Sequence, residues 1–593
     1  MLLYDIVVIG GGHAGIEAVG IAGRFSLKTC LITLDKNKIG YPSCNPSIGG
    51  IAKSHLVCEL DVLGGIMPIL ADRTSVHSKL LNSSKGPAVW SLRTQIDSAD
   101  YPKEALNEIM KIENVDIIED EVSEICSEDN AITGVICAKA GLIRAKGVIV
   151  ATGTFLNGRI FIGKDSFPAG RYSEKASQSL SSSIQNLGIK LMRLKTGTPS
   201  RAYRNSIDFS FLEEQKGEDD TGSFSILSRD RVNNLESCFI GRTNSKTHEI
   251  IKNNLDKSAL YSGLITGIGP RYCPSIEDKI VRFAGRDSHT IFIEPMGRES
   301  ELVYINGTSS SLPEDVQYDF LRTVPGLEKV RFSQPGYAIE YDALKSGQIK
   351  QTMEFKGIEN LFMAGQINGT SGYEEAAAQG FTAGLNCALK MMKREEIVFD
   401  RYTSYMGVLT DDISKKEITD PYRLFTSRSE NRLVLRQDNN FLRMLDFADR
   451  AGLKNLSVDS YRSLLEEYKN LSAEYFDDKN ILKQKHKNLN DPSRTFKDFH
   501  LLFPQNSRRA VLALYSEIKY AGYIERYTKM TRRILENKDM LLGNKESILS
   551  SGIISKEAKE IIKFSDALKV GDLFGRIDPS DIENLVFVLK KKF

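Results

Sequence analysis

A glycine-rich turn near the start of the 593-residue chain is the feature that most restricts its fold. The segment Gly10-Gly11-Gly12-His13-Ala14-Gly15 fits the pattern G-x-G-x-x-G, between an apolar run at 5–9 and a helical pattern at 16–24. The first glycine permits a tight turn, the second lets the backbone approach a pyrophosphate, and the third lets the helix pack on the strand. Amides at the helix start then hold phosphates. The sequence therefore predicts a Rossmann-type dinucleotide site; the alternative is a glycine-rich turn that binds no nucleotide.

Later segments favour FAD over NAD at this site. Beyond the turn, Asp35 closes the second predicted strand, where it can accept a hydrogen bond from a ribose hydroxyl. The segment 147–154 is a strand and turn of the kind that lies beside a flavin, and the segment 361–370 precedes a helix of small residues at 373–388. A helix start aimed at an isoalloxazine ring stabilises the negative charge of reduced flavin. The alternative for the second segment is an irregular loop that caps a helix.

The chain is too long for one hydrophobic core and is expected to divide into domains. Apolar runs alternate with helical patterns up to about residue 200, polar sequence follows, the α/β pattern returns, and helical periodicity dominates beyond 400. We therefore predict an α/β protein: a Rossmann-type FAD-binding domain with an inserted smaller α/β domain, followed by an α-helical C-terminal domain. The expected boundaries are 1–204 and 276–400 for the FAD-binding domain, 205–275 for the inserted domain, and 401–593 for the helical domain.

Composition excludes several classes of protein. The formal net charge of +2 means that any surface for nucleic acid must be a local basic patch. Eight cysteines are scattered without a C-x-x-C pair or metal-ligand spacing, which indicates a reducing compartment, no structural metal and no dithiol reductase. No signal-peptide pattern and no run of 18 apolar residues occurs, so a cytoplasmic protein without a membrane segment is expected.

Long sequence blocks resemble the signature blocks of a known family of tRNA-modifying enzymes. The blocks that carry the resemblance, in the family's order, are 43–53, 82–89, 193–199, 269–279, 334–337, 364–380, 420–428, 520–526 and 576–579. They are similar to those of the tRNA uridine-5-carboxymethylaminomethyl modification enzymes, the MnmG (GidA) family. The resemblance covers essentially the whole chain, including the helical region that a related FAD- and folate-dependent tRNA methyltransferase, TrmFO, lacks.

The resemblance implies an activity, cofactors and partners. Members of the family act as homodimers with the GTPase MnmE, and they use FAD, NADH and the carbon of methylene-tetrahydrofolate. They add an aminomethyl or carboxymethylaminomethyl group to carbon 5 of the wobble uridine of tRNA. The alternatives are a TrmFO-like tRNA uridine-5-methyltransferase, an NADH oxidase with other substrates, and a non-catalytic RNA-binding or scaffold protein with a vestigial nucleotide fold.

The resemblance also implies roles for individual residues. Residues 10–15 would hold the FAD pyrophosphate, and Gln366 would contact the flavin end. Val122 and Ser177 would be further FAD contacts. The segment 269–283 would be associated with NAD, and its first residues are Gly269, Pro270, Arg271, Tyr272 and Cys273.

Two cysteines are candidates for catalysis. Carbon 5 of uracil is a poor nucleophile until a nucleophile adds at carbon 6 or the flavin itself delivers an activated carbon, so a thiol near FAD is a natural candidate. Cys44 lies in a Ser/Asn/Pro/Gly loop after the second strand, and Cys273 lies in a basic segment. Both settings favour a thiolate. The alternatives are a small residue packed under a loop for Cys44 and a turn cysteine beside a phosphate-binding arginine for Cys273.

Other polar residues have ordinary structural explanations beside the functional ones. Lys53 and His55 are candidates for a phosphate or flavin contact, but a structural histidine with satisfied hydrogen bonds is the preferred interpretation of His55. Glu374 and Glu375 are expected to cap the helix that they begin. The basic clusters that are candidates for RNA contacts are Arg423, Arg428, Arg432 and Arg436, the run 483–487, and Arg508 with Arg509. The four arginines of the first cluster share one face only if that stretch is helical. Each cluster is equally explained as a solvated face.

Overall fold

The computed structural model describes residues 2–228, 233–271, 274–477, 495–543 and 545–590. Two of the predicted site residues, Tyr272 and Cys273, and the basic run at 483–487 lie outside the described residues. Among the described residues, no single helix is long and apolar enough to cross a membrane. The neighbouring helices Lys53–Leu63 and Met67–Arg73 meet the length and composition test only when taken together, across a bend of 110°.

The first sheet is built around the opening strand Leu2–Ile9, which is buried over most of its length. It contains seven strands, in the spatial order Val115–Glu119, Thr29–Thr33, Leu2–Ile9, Gly141–Val150, Ala131–Cys137 and Val122–Glu128, with Leu361–Met363 also paired to Gly141–Val150. Pairs among the first four strands, and the pair with Leu361–Met363, are parallel; the last two strands add an antiparallel meander. Nearly continuous apolar runs such as Ile6 to Ile9 suit parallel strands that helices cover on both faces. This sheet confirms the predicted Rossmann-type α/β core.

Two helices begin beside each other on this sheet. The opening helix is His13–Arg24, and the last core helix is Tyr373–Met391. A Cβ atom added to Gly380 would overlap the backbone of Ala14, and one added to Gly384 would overlap the backbone of Ala18. The small residues of the last core helix therefore let the two helix backbones touch.

Three further sheets complete the α/β part of the chain. A four-stranded antiparallel sheet has the order Asp165–Pro168, Arg159–Ile162, Tyr337–Leu344, Leu191–Thr198. A six-stranded antiparallel sheet has the order Glu213–Gln215, Cys238–Arg242, Thr290–Pro295, Leu302–Asn306, Arg201–Tyr203, Phe332–Gln334. A three-stranded sheet has the order Ser47–Gly49, Ser91–Ile96, Ser75–Leu81.

The six-stranded sheet draws on sequence at both sides of residue 275, where we expected the inserted domain to end. Its strands Thr290–Pro295 and Leu302–Asn306 pair with each other, and the former also pairs with Cys238–Arg242. Strand pairing joins segments that are distant in sequence, so a change in local composition does not mark the end of a sheet. The domain boundaries at 204, 275 and 400 remain predictions.

Helices dominate the described residues beyond about residue 400, as predicted. Those before residue 400, beyond the two named above, are Lys53–Leu63, Met67–Arg73, Asp100–Met110, Ser179–Asn186, Ser245–Asn253, Ile276–Arg282 and Glu314–Leu321. Those after residue 400 are Tyr405–Lys415, Asn440–Ala451, Leu456–Asp477, Phe496–His500, Arg508–Glu536, Lys545–Leu549, Lys556–Phe564 and Pro579–Lys590. The last four of these pack around a separate apolar cluster that includes Ile534, Ile562 and Leu585.

The contact between the two helix backbones generates a prediction about stability. We expect Gly384→Ala to lower the melting temperature, because the new methyl group meets the backbone of Ala18; overpacking of this kind costs about 1–3 kcal/mol. Gly522→Ala is the matched control, since a Cβ there meets nothing within 4 Å on the exposed side of a helix. This control is expected to leave the melting temperature unchanged or raise it, because alanine is the better helix former. Equal melting curves for both variants would contradict the close helix contact.

Candidate active site

A cavity of about 670 Å³ opens where the parallel strands of the first sheet end. Its wall includes the segments that directly follow three of these strands, at 10–14, 151–155 and 364–366, as well as Asp35 after the second strand. Ligands of open α/β sheets bind at this edge, outside the carboxyl ends of the strands. The opposite wall comes from the loop at 43–53 and from strand residues of the other sheets, including Tyr304.

The glycine-rich turn has the geometry that a pyrophosphate requires. Gly10 has a φ of 103°, and a Cβ there would overlap the carbonyl of Ala151. A Cβ on Gly15 would overlap the carbonyl oxygen of Gly10, so Gly15 lies behind the cavity wall and packs the helix against the turn. In contrast, a Cβ on Gly12 would meet nothing within 4 Å, and Gly12 lines the cavity. The opening helix has no side-chain N-cap, so its first amides are available to an anion.

The structure brings most of the predicted site residues to this one cavity. Those that line it are Gly10, Gly11, Gly12, His13, Ala14, Asp35, Cys44, Val122, Ser177, Pro270 and Gln366. Gly269 packs beside the side chain of Lys195, and Arg271 is next to Pro270 but is not part of the wall. Among the described residues, no group of three or more His, Cys, Asp or Glu side chains is arranged to hold a metal ion.

His13 is a buried polar side chain of the cavity wall. Its ring lies 4.4 Å from the ring of Tyr373 and 5.6 Å from that of Tyr101, measured between centroids. Burial, with a smaller contribution from Arg171, lowers the pKa of His13 to about 3, so the ring is neutral near pH 7. Both ring nitrogens lack a protein partner. A neutral imidazole with an unused N–H beside a phosphate-type turn suits a polar ligand in this cavity.

The loop at 43–53 is tied to the start of the last core helix by two buried carboxylates. Lys53 forms an ion pair with Glu375, and the backbone amide of Gly49 donates a hydrogen bond of 2.7 Å to Glu374. Burial raises the pKa of Glu374. Burial also acts to raise the pKa of Glu375, but Lys53, the amide of Leu424 and the charge of Arg423 together outweigh it, so the pKa of Glu375 is lowered. Both residues lie in the first helical turn, as a capping role requires, and they also hold the loop against the helix. Lys53 therefore contacts a carboxylate as well as the cavity.

Cys44 lies in the cavity wall and is held at two points. Its backbone amide donates a hydrogen bond of 2.6 Å to the hydroxyl of Tyr373, and its sulfur lies 3.1 Å from the hydroxyl of Tyr304. The side chain is partly exposed, unlike the buried thiols of Cys30, Cys58 and Cys387. This position agrees with the reactive-thiol hypothesis better than with a small residue packed under a loop. Sequence reasoning missed Tyr304 because tertiary packing brings its strand near Cys44, which is 260 residues away in the sequence.

The arginine series after residue 420 does not lie on one helical face, because the condition for this, a helical stretch, is not met. Residues 429–439 contain no α-helix, and the nearest one begins at Asn440. Arg436 is fully buried and forms ion pairs with Asp438 and Glu517, so it is not a surface for RNA. The four-to-five-residue spacing was misleading because this stretch forms turns in place of a helix. In turns, arginines with this spacing do not share one face, and Arg436 lies in the core. Arg432 is exposed, and Arg423 lines the cavity.

Arg508 and Arg509 connect the long helix Arg508–Glu536 to the loop near residue 222. Arg509 donates a hydrogen bond of 2.8 Å to the carbonyl of Ser223, and Arg508 donates one of 3.1 Å to the carbonyl of Asp220. Their guanidinium groups thus hold the helical region against the α/β part, which is a structural role that the sequence did not indicate.

His55 does not reach the cavity. It is buried, its ring packs edge-on against Tyr405 at a centroid distance of 4.9 Å, and both ring nitrogens lack a partner. His55 is therefore a structural residue, as we preferred to interpret it. Among the described residues, however, it lacks the hydrogen-bond partners that we expected. Burial, followed by the charge of Arg443, lowers the pKa of His55 to about 3.

The fold and the cavity together define a dinucleotide-binding α/β protein with a Rossmann-type core and a helical C-terminal region. Comparison with known proteins agrees. The model of the family "Glucose inhibited division protein A" (GidA) matches residues 5–395. The chain belongs to this family.

Relatives match the helical region as well as the core. The tRNA uridine 5-carboxymethylaminomethyl modification enzyme MnmG of Mycoplasmopsis synoviae (strain 53) is 41% identical, over 99% of this chain and 98% of its own length. The enzyme of the same name from Thermodesulfovibrio yellowstonii is 52% identical over 76% of this chain and 72% of its own. The structure of Aquifex aeolicus GidA in its form I crystal is 40% identical, has a TM-score of 0.87, and covers 99% of this chain and 100% of that one. The fold that we predicted is thus confirmed by a solved relative.

The buried state of His55 generates a prediction about pH. An unfolded chain protonates His55 below about pH 6.5, whereas the folded chain does so only near pH 3. The unfolded state therefore binds more protons as the pH falls, so stability is lost between pH 6.5 and 3. We expect His55→Phe to remove this loss, which is on the order of 2 kcal/mol at pH 5.

The measurement is the melting temperature of wild type and variant from pH 8 to pH 5. The difference between the two curves is expected to stay constant from pH 8 to about 7 and to change in favour of the variant at lower pH. A constant difference over the whole range would contradict a buried, neutral His55.

Proposed function

We propose that this chain is a tRNA-modifying enzyme that adds a carboxymethylaminomethyl or aminomethyl group to carbon 5 of the wobble uridine. It acts with FAD, NADH and the carbon of methylene-tetrahydrofolate, as a cytoplasmic homodimer in a heterotetramer with the GTPase MnmE. The observation that carries the proposal is full-length similarity: MnmG relatives match 98% of their own length, so the helical region is included. The cavity supports it by joining a dinucleotide turn to a partly exposed thiol.

The shape and the lining of the cavity suit FAD. Its diphosphate would lie over Gly12 and the amides of the opening helix, because Gly12 leaves open space where any side chain would intrude. The ribose of its adenosine would meet Asp35, with Val122 and Ser177 as neighbours, all of which line the cavity. The ring would extend towards Gln366 and the start of the last core helix, whose N-cap residue, Gly372, also lines the cavity. FAD supplies two-electron redox chemistry when bound.

The segment 269–283 supports a place for NADH at the same cavity. Pro270 and Lys279 both line it, opposite the glycine-rich turn. The Nζ atom of Lys279 donates a hydrogen bond of 2.8 Å to the carbonyl of Gly307, which positions the helix Ile276–Arg282 at the cavity edge. We propose that this segment, with Arg271 and Tyr272, binds the dinucleotide that reduces the flavin.

Cys44 and Cys273 are the proposed nucleophiles. A thiolate that adds to carbon 6 of uracil moves the electron pair of the 5,6 double bond to carbon 5, which then becomes nucleophilic towards the one-carbon unit. Loss of the carbon 5 proton and release of the thiolate restore the ring. Only Cys44 is among the described residues, and its place in the cavity wall supports this role.

A TrmFO-like tRNA uridine-5-methyltransferase is the second candidate. It shares the FAD cavity and the folate carbon, so the cavity alone does not separate the two. The helices after residue 400 favour an MnmG-type enzyme over the methyltransferase, because they are part of the similarity to MnmG relatives. We propose that these helices bind tRNA through exposed basic residues such as Arg432, and that the helices beyond about residue 550 bind MnmE.

The activity is tested by nucleoside analysis of tRNA. A strain without the gene is expected to lack the carboxymethylaminomethyl and aminomethyl derivatives of the wobble uridine and to keep 5-methyluridine. Expression of the wild-type chain restores them. Loss of 5-methyluridine instead would replace the proposal with the methyltransferase.

The same strain tests the thiols. We expect that Cys44→Ser or Cys273→Ser, or both, fails to restore the modified nucleosides while the purified variant retains its FAD. Cys126→Ser is the matched control, because Cys126 is partly exposed and does not itself line the cavity, and it is expected to restore modification. Full modification by both of the first two variants would end the thiol hypothesis.

FAD binding is tested separately by a substitution that fills the phosphate position. Gly12→Val is expected to fold normally, since its side chain enters open space, but to bind FAD about 5- to 150-fold more weakly, because overpacking costs about 1–3 kcal/mol. Gly285→Val is the control, since Gly285 is exposed and a Cβ there also meets nothing within 4 Å. The measurement is flavin absorbance per protein, with equilibrium titration of the apoprotein. Equal FAD affinity in both variants would contradict the proposed diphosphate position.

A further inference from the structure

The sulfur of Cys44 lies at one end of a short chain of hydroxyl groups. The hydroxyl of Tyr304 is 3.1 Å from the sulfur and 3.3 Å from the hydroxyl of Thr198. Tyr304 is 1% exposed, although its side chain forms part of the cavity wall. The strand Leu302–Asn306 therefore delivers a buried hydroxyl to a thiol that is 260 residues earlier in the sequence.

A buried guanidinium lies beside the same pair. Arg201 is 5% exposed, and its Nη2 atom donates a hydrogen bond of 3.0 Å to the carbonyl of Ser43, next to Cys44. Its Cζ atom is 5.9 Å from the ring centroid of Tyr304, and its Nε and Nη1 atoms have no hydrogen-bond partner among the described residues. Arginine stays charged in proteins, and a buried charge without a counter-charge is costly. An anion beside Ser43 would offset that cost.

Among the described residues, the phenols of Tyr304, Tyr337 and Tyr373 interact electrostatically with the sulfur. The carbonyl oxygen of Gly197 lies 3.9 Å from it. Burial, together with the neighbouring sulfur, raises the pKa of each of these phenols, most strongly for Tyr304 and Tyr373. The phenols therefore keep their protons over the pH range in which a thiol ionises. A protonated phenol that faces a thiolate donates a hydrogen bond to it, and hydrogen bonds to a charged partner are the stronger ones.

We propose that Tyr304 is a positioning residue that holds the Cys44 sulfur as a thiolate by donating its phenolic hydrogen bond, with Arg201 as the buried positive charge that favours this anion. Thr198 orients the Tyr304 hydroxyl from the other side. Tyr373 has a different task, because its hydroxyl accepts from the Cys44 amide and so fixes the backbone of the loop. This inference rests on the nucleophilic role proposed for Cys44.

The test measures the ionisation of Cys44 directly, without tRNA. Full-length, FAD-loaded protein is treated with iodoacetamide from pH 5.5 to 9.5, and the rate of labelling is read by mass spectrometry on the peptide that carries Cys44. The thiolate attacks the methylene carbon and releases iodide, so the rate follows the thiolate fraction. In wild type we expect a midpoint below that of an ordinary thiol, which is about pH 8.5.

Tyr304→Phe is expected to raise that midpoint by about 1–2 pH units, which corresponds to labelling that is roughly 10- to 100-fold slower at pH 7. Tyr405→Phe is the matched control: its hydroxyl is buried, lacks a partner, and lies away from the cavity wall. It is expected to leave the midpoint unchanged. Arg201→Gln should raise the midpoint, and Arg201→Lys should restore part of the loss because it keeps the charge.

An unchanged midpoint in a Tyr304→Phe protein that keeps its flavin spectrum would overturn the inference, as would a wild-type midpoint at or above about 8.5. If Tyr304→Phe fails to fold, Thr198→Val takes its place and is expected to shift the midpoint in the same direction by a smaller amount; no shift there would also overturn it. Failure of the proposed function is distinguishable, because a shifted thiol midpoint in an enzyme that modifies no tRNA leaves the inference intact.

Discussion

Close contact between the opening helix and the last core helix is the constraint on which the site depends. Gly380 and Gly384 let the two backbones touch, so both helices can begin at the same edge of the first sheet. Their N-cap residues, Gly12 and Gly372, both line the cavity, and neither offers a side-chain cap. Two helix starts then present unsatisfied amides and partial positive charge to one space. Such a space suits a ligand with a diphosphate at one end and an electron-accepting ring at the other.

The same helix start also organises the loop that carries Cys44. Glu374 and Glu375 are fully enclosed, yet each has partners: an amide of the loop for one, and Lys53 with the amide of Leu424 for the other. Breaking a buried ion pair by removing one partner typically costs about 3–5 kcal/mol, because the other charge is left without compensation. These electrostatic contacts therefore fix the loop that carries Cys44. A mobile loop at this place would leave the thiol without a defined position. The partners of the two carboxylates lie in the loop and at Leu424, so the capping role that the sequence indicated stays a prediction.

Local sequence was sufficient for the parts of the site that are local. The turn at 10–15 was predictable because strand, glycines and helix follow one another directly, and Asp35 because it ends the next strand. Tyr304 and Arg201 were not predictable from spacing, since they reach Cys44 through strand pairing and packing across more than 150 residues. Arg436 shows the opposite case: its spacing suggested an exposed face, but carboxylates at Asp438 and Glu517 make a buried position favourable. A single sequence does not show which of its polar residues are paired in space.

A Rossmann-type core alone does not determine an activity, because many chemistries use it. In this chain the feature that adds specificity is a connection between the thiol loop and the helical region. The helix Lys53–Leu63 begins at the end of that loop, and its buried Glu59 accepts hydrogen bonds of 2.9 Å from the amides of Tyr405 and Met406 and one of 2.7 Å from Arg443. One helix therefore begins at the loop that carries Cys44 and anchors the proposed RNA-binding region through Glu59. This helix is a direct structural link between the thiol loop and the helical region.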